Sequence, residues 1–162
     1  MKPKAYIETT VVSYLCAHPS RDVVIAGHQQ ITRDWWSTAE ERFELVASQL
    51  VVDEANAGDP IAATRRQAAL ELVTLLDATD EALSLAQELV GSGAIPANSP
   101  EDAAHIAIAV ANGVEYLVTW NCRHIANAIL RSRIERVCRD RGYEPAVICT
   151  PDELMEPEND NA

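Results

Sequence analysis

Acidic and amide side chains follow four apolar, strand-like runs of this sequence. Glu8 comes directly after the first run, Glu54 lies on a helix that follows the second, and Asp102 lies in the first turn of a later helix. Asn121 follows a further run by two positions. Because the carboxyl ends of parallel strands share one edge of a sheet, these four side chains should converge. Converging carboxylates repel one another, and Mg²⁺ or Mn²⁺, which prefer oxygen ligands, would relieve that repulsion. The residue types therefore indicate a site for a divalent cation that engages phosphate.

Helical spacing points two of these carboxylates inward. Glu54 shares a face with Leu50 and Val51, and Asp102 shares a stripe with His105. A carboxylate on an apolar face must be paired, protonated or bound to a metal. His105 itself is expected to be a core histidine with satisfied hydrogen bonds.

Each candidate also has a purely structural interpretation. Asp102 could complete a helix cap that begins at Ser99. Glu8 could be a surface residue at a strand end, and Asn121 could be an ordinary helix N-cap. The joint placement of these residues at one edge favours a functional site.

Apolar runs alternate with helical patterns along the chain. The predicted strands cover residues 5–7, 45–47, 72–76, 114–119 and 145–149. The predicted helices cover residues 9–17, 22–44, 48–57, 61–71, 80–90, 99–113 and 121–141, with Asp22, Ser48 and Asn121 as their caps where one is expected. This alternation predicts a three-layer α/β/α sandwich with a central, mostly parallel sheet.

Length and composition set the class of protein. The 162 residues, 48% hydrophobic, predict a single domain over residues 1–155 and a polar tail over 156–162. The net charge of −12 disfavours a protein that coats nucleic acid by bulk charge. No apolar run reaches the roughly 18 residues of a membrane span, and no secretory signal is evident, so a cytoplasmic protein with four free thiols is expected. Cys122 and His124 could form half a zinc site, but no partner pair is evident.

Four segments resemble PIN-domain nucleases, over about residues 3–155. YIETTVVSYL resembles their first strand, which usually carries Asp where this chain has Glu8. LVASQLVVDEANAGD resembles their second motif, with Glu54 at the acidic position. SPEDAAHIAIAVANGVEYLVTWNCRHI puts Asp102 on the third acidic position and Asn121 on the fourth, which is often Asp. VICTPDEL resembles the end of a bacterial branch of the family.

The resemblance extends to VapC-type toxins of toxin–antitoxin pairs. It implies a PIN-like fold and a hydrolase, an endoribonuclease that cleaves RNA with Mg²⁺ or Mn²⁺. The metal ligands would be Glu8, Glu54 and Asp102, with Asn121 orienting the attacking water. Hydroxyls of Thr10 and Thr119 would hydrogen-bond these groups. Frequent homodimers and a small antitoxin partner are also implied.

Two departures from the family pattern open an alternative. Glu8 is one methylene longer than Asp, and Asn121 removes a negative charge while keeping an oxygen donor. Asp53 and Glu101 could substitute, although they face another way. A catalytically weakened PIN-like module that binds RNA or a protein partner would carry such changes. A phosphate-handling α/β enzyme with an acidic magnesium pocket is a third reading, but no glycine-rich phosphate loop is present.

Positive charge is concentrated near the end of the chain. Residues 123–141 contain six arginines against Glu135 and Asp140, a net charge of +4, whereas the rest of the chain carries −16. Arg123 and Arg131 are the candidates for contacting RNA phosphates, and a solvated face paired with acids is the alternative.

Two adjacent tryptophans bear on assembly. Trp35 and Trp36 point about 100° apart on a helix, so one could pack inward while the other meets a partner chain. Intramolecular cover of both is the alternative. Together with the resemblance, this pair predicts a homodimer.

Overall fold

A computed structural model describes residues 1–157. Its strands are β1 (Lys4–Ile7), β2 (Glu44–Ser48), β3 (Thr74–Leu76), β4 (Tyr116–Val118) and β5 (Val147–Cys149). Its helices are α1 (Thr9–Cys16), α2 (Val23–Arg42), α3 (Gln49–Ala55), α4 (Pro60–Leu70), α5 (Asp80–Gly91), α6 (Pro100–Ala111) and α7 (Ala128–Asp140), followed by a 3₁₀ turn, Pro151–Leu154. The strands form one parallel sheet in the order β3-β2-β1-β4-β5. The predicted α/β/α sandwich is therefore confirmed.

The strand order places a switch point between β1 and β4. From β1 the chain winds outward through β2 to β3, and it then crosses back to β4 and β5 on the other side. With right-handed crossovers, α1–α4 cover one face of the sheet and α5–α7 cover the other. Open parallel sheets bind ligands at such a switch point, at the carboxyl ends of the strands.

The central strands are buried on both faces. Ala5, Tyr6 and Ile7 of β1 are each 0% exposed, and Tyr6 is in register with Val46 of β2 and Leu117 of β4. A continuous buried run of this kind is typical of a parallel sheet covered by helices. The sequence AAHIAIAV of α6 is almost wholly buried against it, as its apolar character predicts.

The prediction of one helix over residues 121–141 is wrong at its start. Residues 121–127 form turns, and α7 begins at Ala128. The helix cap is Asn127, whose side chain accepts hydrogen bonds from Ile129 N at 3.0 Å and Leu130 N at 3.3 Å. Asn121 is not a cap of α7, because α7 begins only at Ala128; its side chain bonds Asp102 and the backbone of His124 instead.

Two predicted serine caps use their side chains differently. Ser48 precedes α3, but its hydroxyl bonds the Tyr6 hydroxyl at 2.7 Å, and α3 ends at Ala55 rather than at residue 57. Within residues 1–157, Ser99 makes no side-chain cap bond to α6. The cap that Asp102 was expected to complete as an alternative role is therefore not formed. Asp22 does cap α2, which runs without interruption.

The remaining expectations concern tryptophans, thiols and the ends of the chain. Trp35 is fully buried, and Trp36 is partly buried against the core, with its ring centroid 6.4 Å from that of Trp35. The four cysteines are free thiols. Within the described residues no helix has the length and apolar character to cross a membrane. In the predicted tail, Glu156 lies 3.4 Å from Arg42, and residues 158–162 fall outside the described part.

Candidate functional site

Glu8 occupies the switch point. It follows β1, is the N-cap of α1 and is only 3% exposed. Glu8 is therefore not a surface residue at a strand end. Its Oε2 accepts from Thr10 N at 2.5 Å, and its Oε1 accepts from the hydroxyls of Thr10 at 2.9 Å and Thr119 at 2.8 Å. Burial raises the pKa of Glu8 above its usual value, although the charge of His105 and these hydrogen bonds act against the rise.

The two threonine hydroxyls connect Glu8 to the chain that leaves β4. Thr10 Oγ1 accepts from Trp120 N at 2.8 Å, and Thr119 Oγ1 accepts from Asn121 N at 2.9 Å. Since a backbone N–H can only donate, each hydroxyl oxygen accepts from the backbone and each hydroxyl O–H donates a hydrogen bond to the Glu8 carboxylate. The hydrogen bonds expected of Thr10 and Thr119 are therefore present.

Glu54 is held by a histidine. Its Oε1 accepts from His105 Nε2 at 2.5 Å and from Thr9 Oγ1 at 3.1 Å. The side chain is 36% exposed, so it is less buried than its apolar face predicts. Partial burial acts to raise the pKa of Glu54, but the hydrogen bond and charge of His105 outweigh it and leave that pKa lowered.

His105 is the core histidine with satisfied hydrogen bonds that the sequence predicts. It is 2% exposed, and its Nδ1 lies 2.8 Å from the Tyr6 hydroxyl. Burial raises the pKa of Tyr6, so this hydroxyl remains protonated. Sequence reasoning missed Tyr6, although the two-residue period of a strand places it on the same face as Glu8.

Asp102 is joined to the turns that follow β4. Its Oδ1 accepts from Asn121 Nδ2 at 3.1 Å, and its Oδ2 lies 2.9 Å from His124 Nδ1. Asn121 Oδ1 in turn accepts from His124 N at 3.1 Å. His124, which the sequence suggested only as half of a zinc site, is thus a carboxylate partner.

The donor chemistry of this edge fits a hard divalent cation, since Glu8, Glu54, Asp102 and Asn121 supply only oxygen. Among residues 1–157, however, no three His, Cys, Asp or Glu side chains lie in positions that could hold a metal ion together. Each carboxylate is instead held by hydroxyl, amide or imidazole groups. Asp53 bonds Gln49 Nε2 at 2.9 Å, in keeping with its expected outward direction.

The two candidate RNA-binding arginines differ in exposure. Arg123 is exposed in the turns that follow Asn121. Arg131 is partly buried in the first turn of α7, and its Nε has no hydrogen-bond partner within the described residues. Because α7 runs back toward the amino ends of the strands, its later arginines move away from the carboxyl edge. Arg141, directly after the helix, pairs with Glu88 at 3.3 Å.

Comparison with known proteins gives a likeness to a solved structure. No family model matches the chain, and no curated protein matches it. A solved structure described as "Crystal structure of VapBC2 from Rickettsia felis bound to a DNA fragment from their promoter" matches it with a TM-score of 0.60. The match covers 91% of this chain and 98% of that chain, at 15% identity. The fold is PIN-like. At this identity the likeness concerns the fold, which is the one the four sequence segments led us to expect.

Proposed function

We propose that this protein is a metal-dependent endoribonuclease, a hydrolase that cleaves RNA phosphodiester bonds with Mg²⁺ or Mn²⁺. The observation that carries the proposal is the placement of Glu8, Glu54 and Asp102 at the carboxyl edge of a PIN-like sheet. The structural likeness to a VapBC2 structure supports the further proposal that it is the toxin of a toxin–antitoxin pair.

In this proposal the three carboxylates hold the cation together, which requires them to lie closer than they do here, where no three potential ligands among residues 1–157 are gathered for a metal ion. When bound, such a cation polarises a phosphoryl oxygen and lowers the pKa of a coordinated water. Glu8 is suited to the role because a carboxylate offers about four lone-pair positions. Three of these positions accept hydrogen bonds, from the Thr10 N–H and from the hydroxyls of Thr10 and Thr119. The fourth position would be left for the cation, while the three donors fix the orientation of the carboxylate.

Asn121 has a different role in this proposal. Its amide nitrogen donates to Asp102, and its amide oxygen accepts from the backbone of His124. Both groups of the amide thus orient neighbours, and Asn121 would hold Asp102 and the attacking water without adding negative charge. Arg123 and Arg131 would contact the RNA backbone beside it.

Three further points of the proposal concern assembly and place. We propose an antitoxin protein as partner, because the similar structure is that of a VapBC2 assembly. A homodimer is proposed from the family resemblance and the tryptophan pair. A cytoplasmic location would suit the four free thiols.

A catalytically weakened PIN-like module that binds RNA or a protein is the second candidate. One observation favours it: within the described residues, no three potential ligands are gathered for a metal ion. Glu8 in place of Asp and Asn121 in place of Asp agree with that reading.

A cleavage assay on mixed RNA, with and without Mn²⁺, tests the proposal. The wild type should cleave only with the metal, Asp102→Asn should not cleave, and Asp53→Asn should cleave like the wild type. Asp53 is the matched control because it is a neighbouring exposed carboxylate bonded to Gln49. Circular dichroism confirms that each variant is folded. A folded wild type that leaves RNA intact while binding it would establish the second candidate instead.

A further inference from the structure

A buried chain of hydrogen bonds leads from the sheet to Glu54. Ser48 Oγ lies 2.7 Å from the Tyr6 hydroxyl, which lies 2.8 Å from His105 Nδ1, and His105 Nε2 lies 2.5 Å from Glu54 Oε1. Ser48, Tyr6 and His105 are 1%, 0% and 2% exposed. Four elements (β2, β1, α6 and α3) contribute one side chain each, so the chain spans the fold rather than one local turn.

The acceptors at its end fix the direction of the protons. An ionised carboxylate can only accept, so His105 Nε2 carries the hydrogen that faces Glu54. In a neutral ring Nδ1 is then an acceptor, and the Tyr6 hydroxyl donates to it. The Tyr6 oxygen in turn accepts the hydroxyl proton of Ser48. One ring tautomer thereby gives a hydrogen-bond partner to each of the side-chain polar groups of Ser48, Tyr6 and His105 in this series.

We infer that Tyr6 and His105 are positioning residues: Tyr6 holds the His105 ring so that its Nε2–H fixes the Glu54 carboxylate at the candidate site. The tautomer follows from these hydrogen bonds when the His105 ring is neutral, whereas its effect on RNA cleavage rests on the proposed function.

Glu54 needs such a partner more than Glu8 does. It projects from α3, a helix of only seven residues, and its side chain is 36% exposed. A long carboxylate at such a place samples several rotamers unless a fixed donor selects one. Thr9 supplies one donor at 3.1 Å, and the rigid, buried imidazole supplies the shorter bond of 2.5 Å.

Nitrogen NMR of the His105 ring tests the inference independently of any activity. Long-range ¹H–¹⁵N spectra of the wild type should show a protonated Nε2. In the variant Tyr6→Phe, which removes the donor to Nδ1, the Nδ1 resonance should shift and broaden because the ring loses its second fixed hydrogen bond, while Nε2 keeps its hydrogen. Tyr116→Phe is the matched control, because Tyr116 lies on the neighbouring strand β4 with its ring against Phe43, and it should leave the Nδ1 resonance unchanged. Spectra of His105→Gln assign the signals among the four histidines.

An Nε2 without hydrogen in the wild type, or a Tyr6→Phe spectrum identical to that of the control, would overturn the inference. Thermal unfolding of each variant shows that the comparison is made on folded protein.

Cleavage kinetics test the consequence for the reaction. Loss of a group that orients a metal-ligating carboxylate costs about 10- to 100-fold. We expect kcat to fall about 10-fold in Tyr6→Phe and about 100-fold in His105→Leu, with KM little changed. His105→Gln should recover part of the loss, because its amide N–H can replace the Nε2 donor. Equal kcat in Tyr6→Phe and Tyr116→Phe would contradict the positioning role. Absence of cleavage in the wild type would instead contradict the proposed function and leave the NMR result to decide the inference.

Discussion

Glu8 and Glu54 are the same residue type at the same edge of the sheet, yet their surroundings shift the side-chain pKa in opposite directions. Glu8 is 3% exposed and is bonded by neutral hydroxyl and amide donors, and burial raises its pKa. Glu54 is more exposed and is bonded by an imidazole, which leaves its pKa lowered despite partial burial. The difference follows from the deeper burial of Glu8, whose hydrogen bonds offset its lost hydration only in part, and from the imidazole that bonds the more exposed Glu54 directly.

The two carboxylates therefore affect stability with opposite dependence on pH. A group whose pKa is raised in the folded state, such as Glu8, contributes stability that is present below its unfolded pKa and is lost as pH rises through its folded pKa. A group whose pKa is lowered, such as Glu54, contributes stability that is present above its unfolded pKa and is lost as pH falls through its folded pKa.

The largest expected effect is the loss of RNA cleavage when the carboxylate of Glu8 or of Glu54 is replaced by an amide. Glu8→Gln and Glu54→Gln should each lower metal-dependent cleavage by at least about 100-fold, because both carboxylates are proposed metal ligands. Initial rates of RNA cleavage at saturating Mn²⁺ measure this. If only one variant loses activity, the two carboxylates do not serve one site.

A second experiment removes the partner of Glu54 alone. His105→Leu removes two hydrogen bonds, the one between the Tyr6 hydroxyl and Nδ1 and the one between Nε2 and Glu54. A hydrogen bond contributes about 0.5–1.5 kcal/mol, and more when one partner is charged, so the free energy of unfolding should fall by about 1–3 kcal/mol. Urea unfolding at neutral pH measures it. His18→Leu, at an exposed histidine, should change stability far less. Equal losses in the two variants would show that the hydrogen bonds of His105 do not stabilise the fold.

The pH dependence of stability sharpens the comparison directly. Between pH 4 and 8, Glu8→Gln should gain stability relative to the wild type as pH rises, because it lacks the buried charge. Glu54→Gln should lose stability relative to the wild type over a rise at lower pH, between the lowered folded pKa of Glu54 and its usual value of 4.5, because it lacks the charge that His105 stabilises. Urea midpoints across both pH ranges measure these changes, with the exposed Glu71→Gln as control. If the urea midpoints of the two variants changed with pH in the same way, the surroundings of Glu8 and Glu54 would affect their charges equally.

The smallest expected effect concerns Asn121. Asn121→Asp replaces the amide that donates to Asp102 with a like charge. With chelator present, loss of about 1 kcal/mol should lower the unfolding midpoint by about 3 °C. With saturating Mn²⁺ the variant should gain more than the wild type, since a fourth carboxylate attracts the cation. Asn98→Asp, in an exposed loop, is the control. Equal gains in the wild type and Asn121→Asp would separate this position from the metal.

The sequence predicts which elements bring the carboxylates to one edge, because that follows from the alternation of strands and helices. It does not predict what holds them. The pattern predicts a helix from residue 121 because Asn121 is a good N-cap locally, whereas α7 begins after Asn127 and the Asn121 side chain bonds Asp102 and the backbone of His124. The partner of Glu54 is likewise distant in sequence, since His105 is 51 residues away. Local patterns carry no information on such pairings.

The most direct test of the account is a calorimetric titration of Mn²⁺ into the folded protein. The carboxyl edge should bind the ion saturably, and Glu8→Gln, Glu54→Gln and Asp102→Asn should each weaken that binding by at least about 10-fold. Asp53→Asn should bind like the wild type. Failure of the wild type to bind Mn²⁺, or binding that none of the three substitutions alters, would contradict the claim that this edge is a metal-dependent nuclease site.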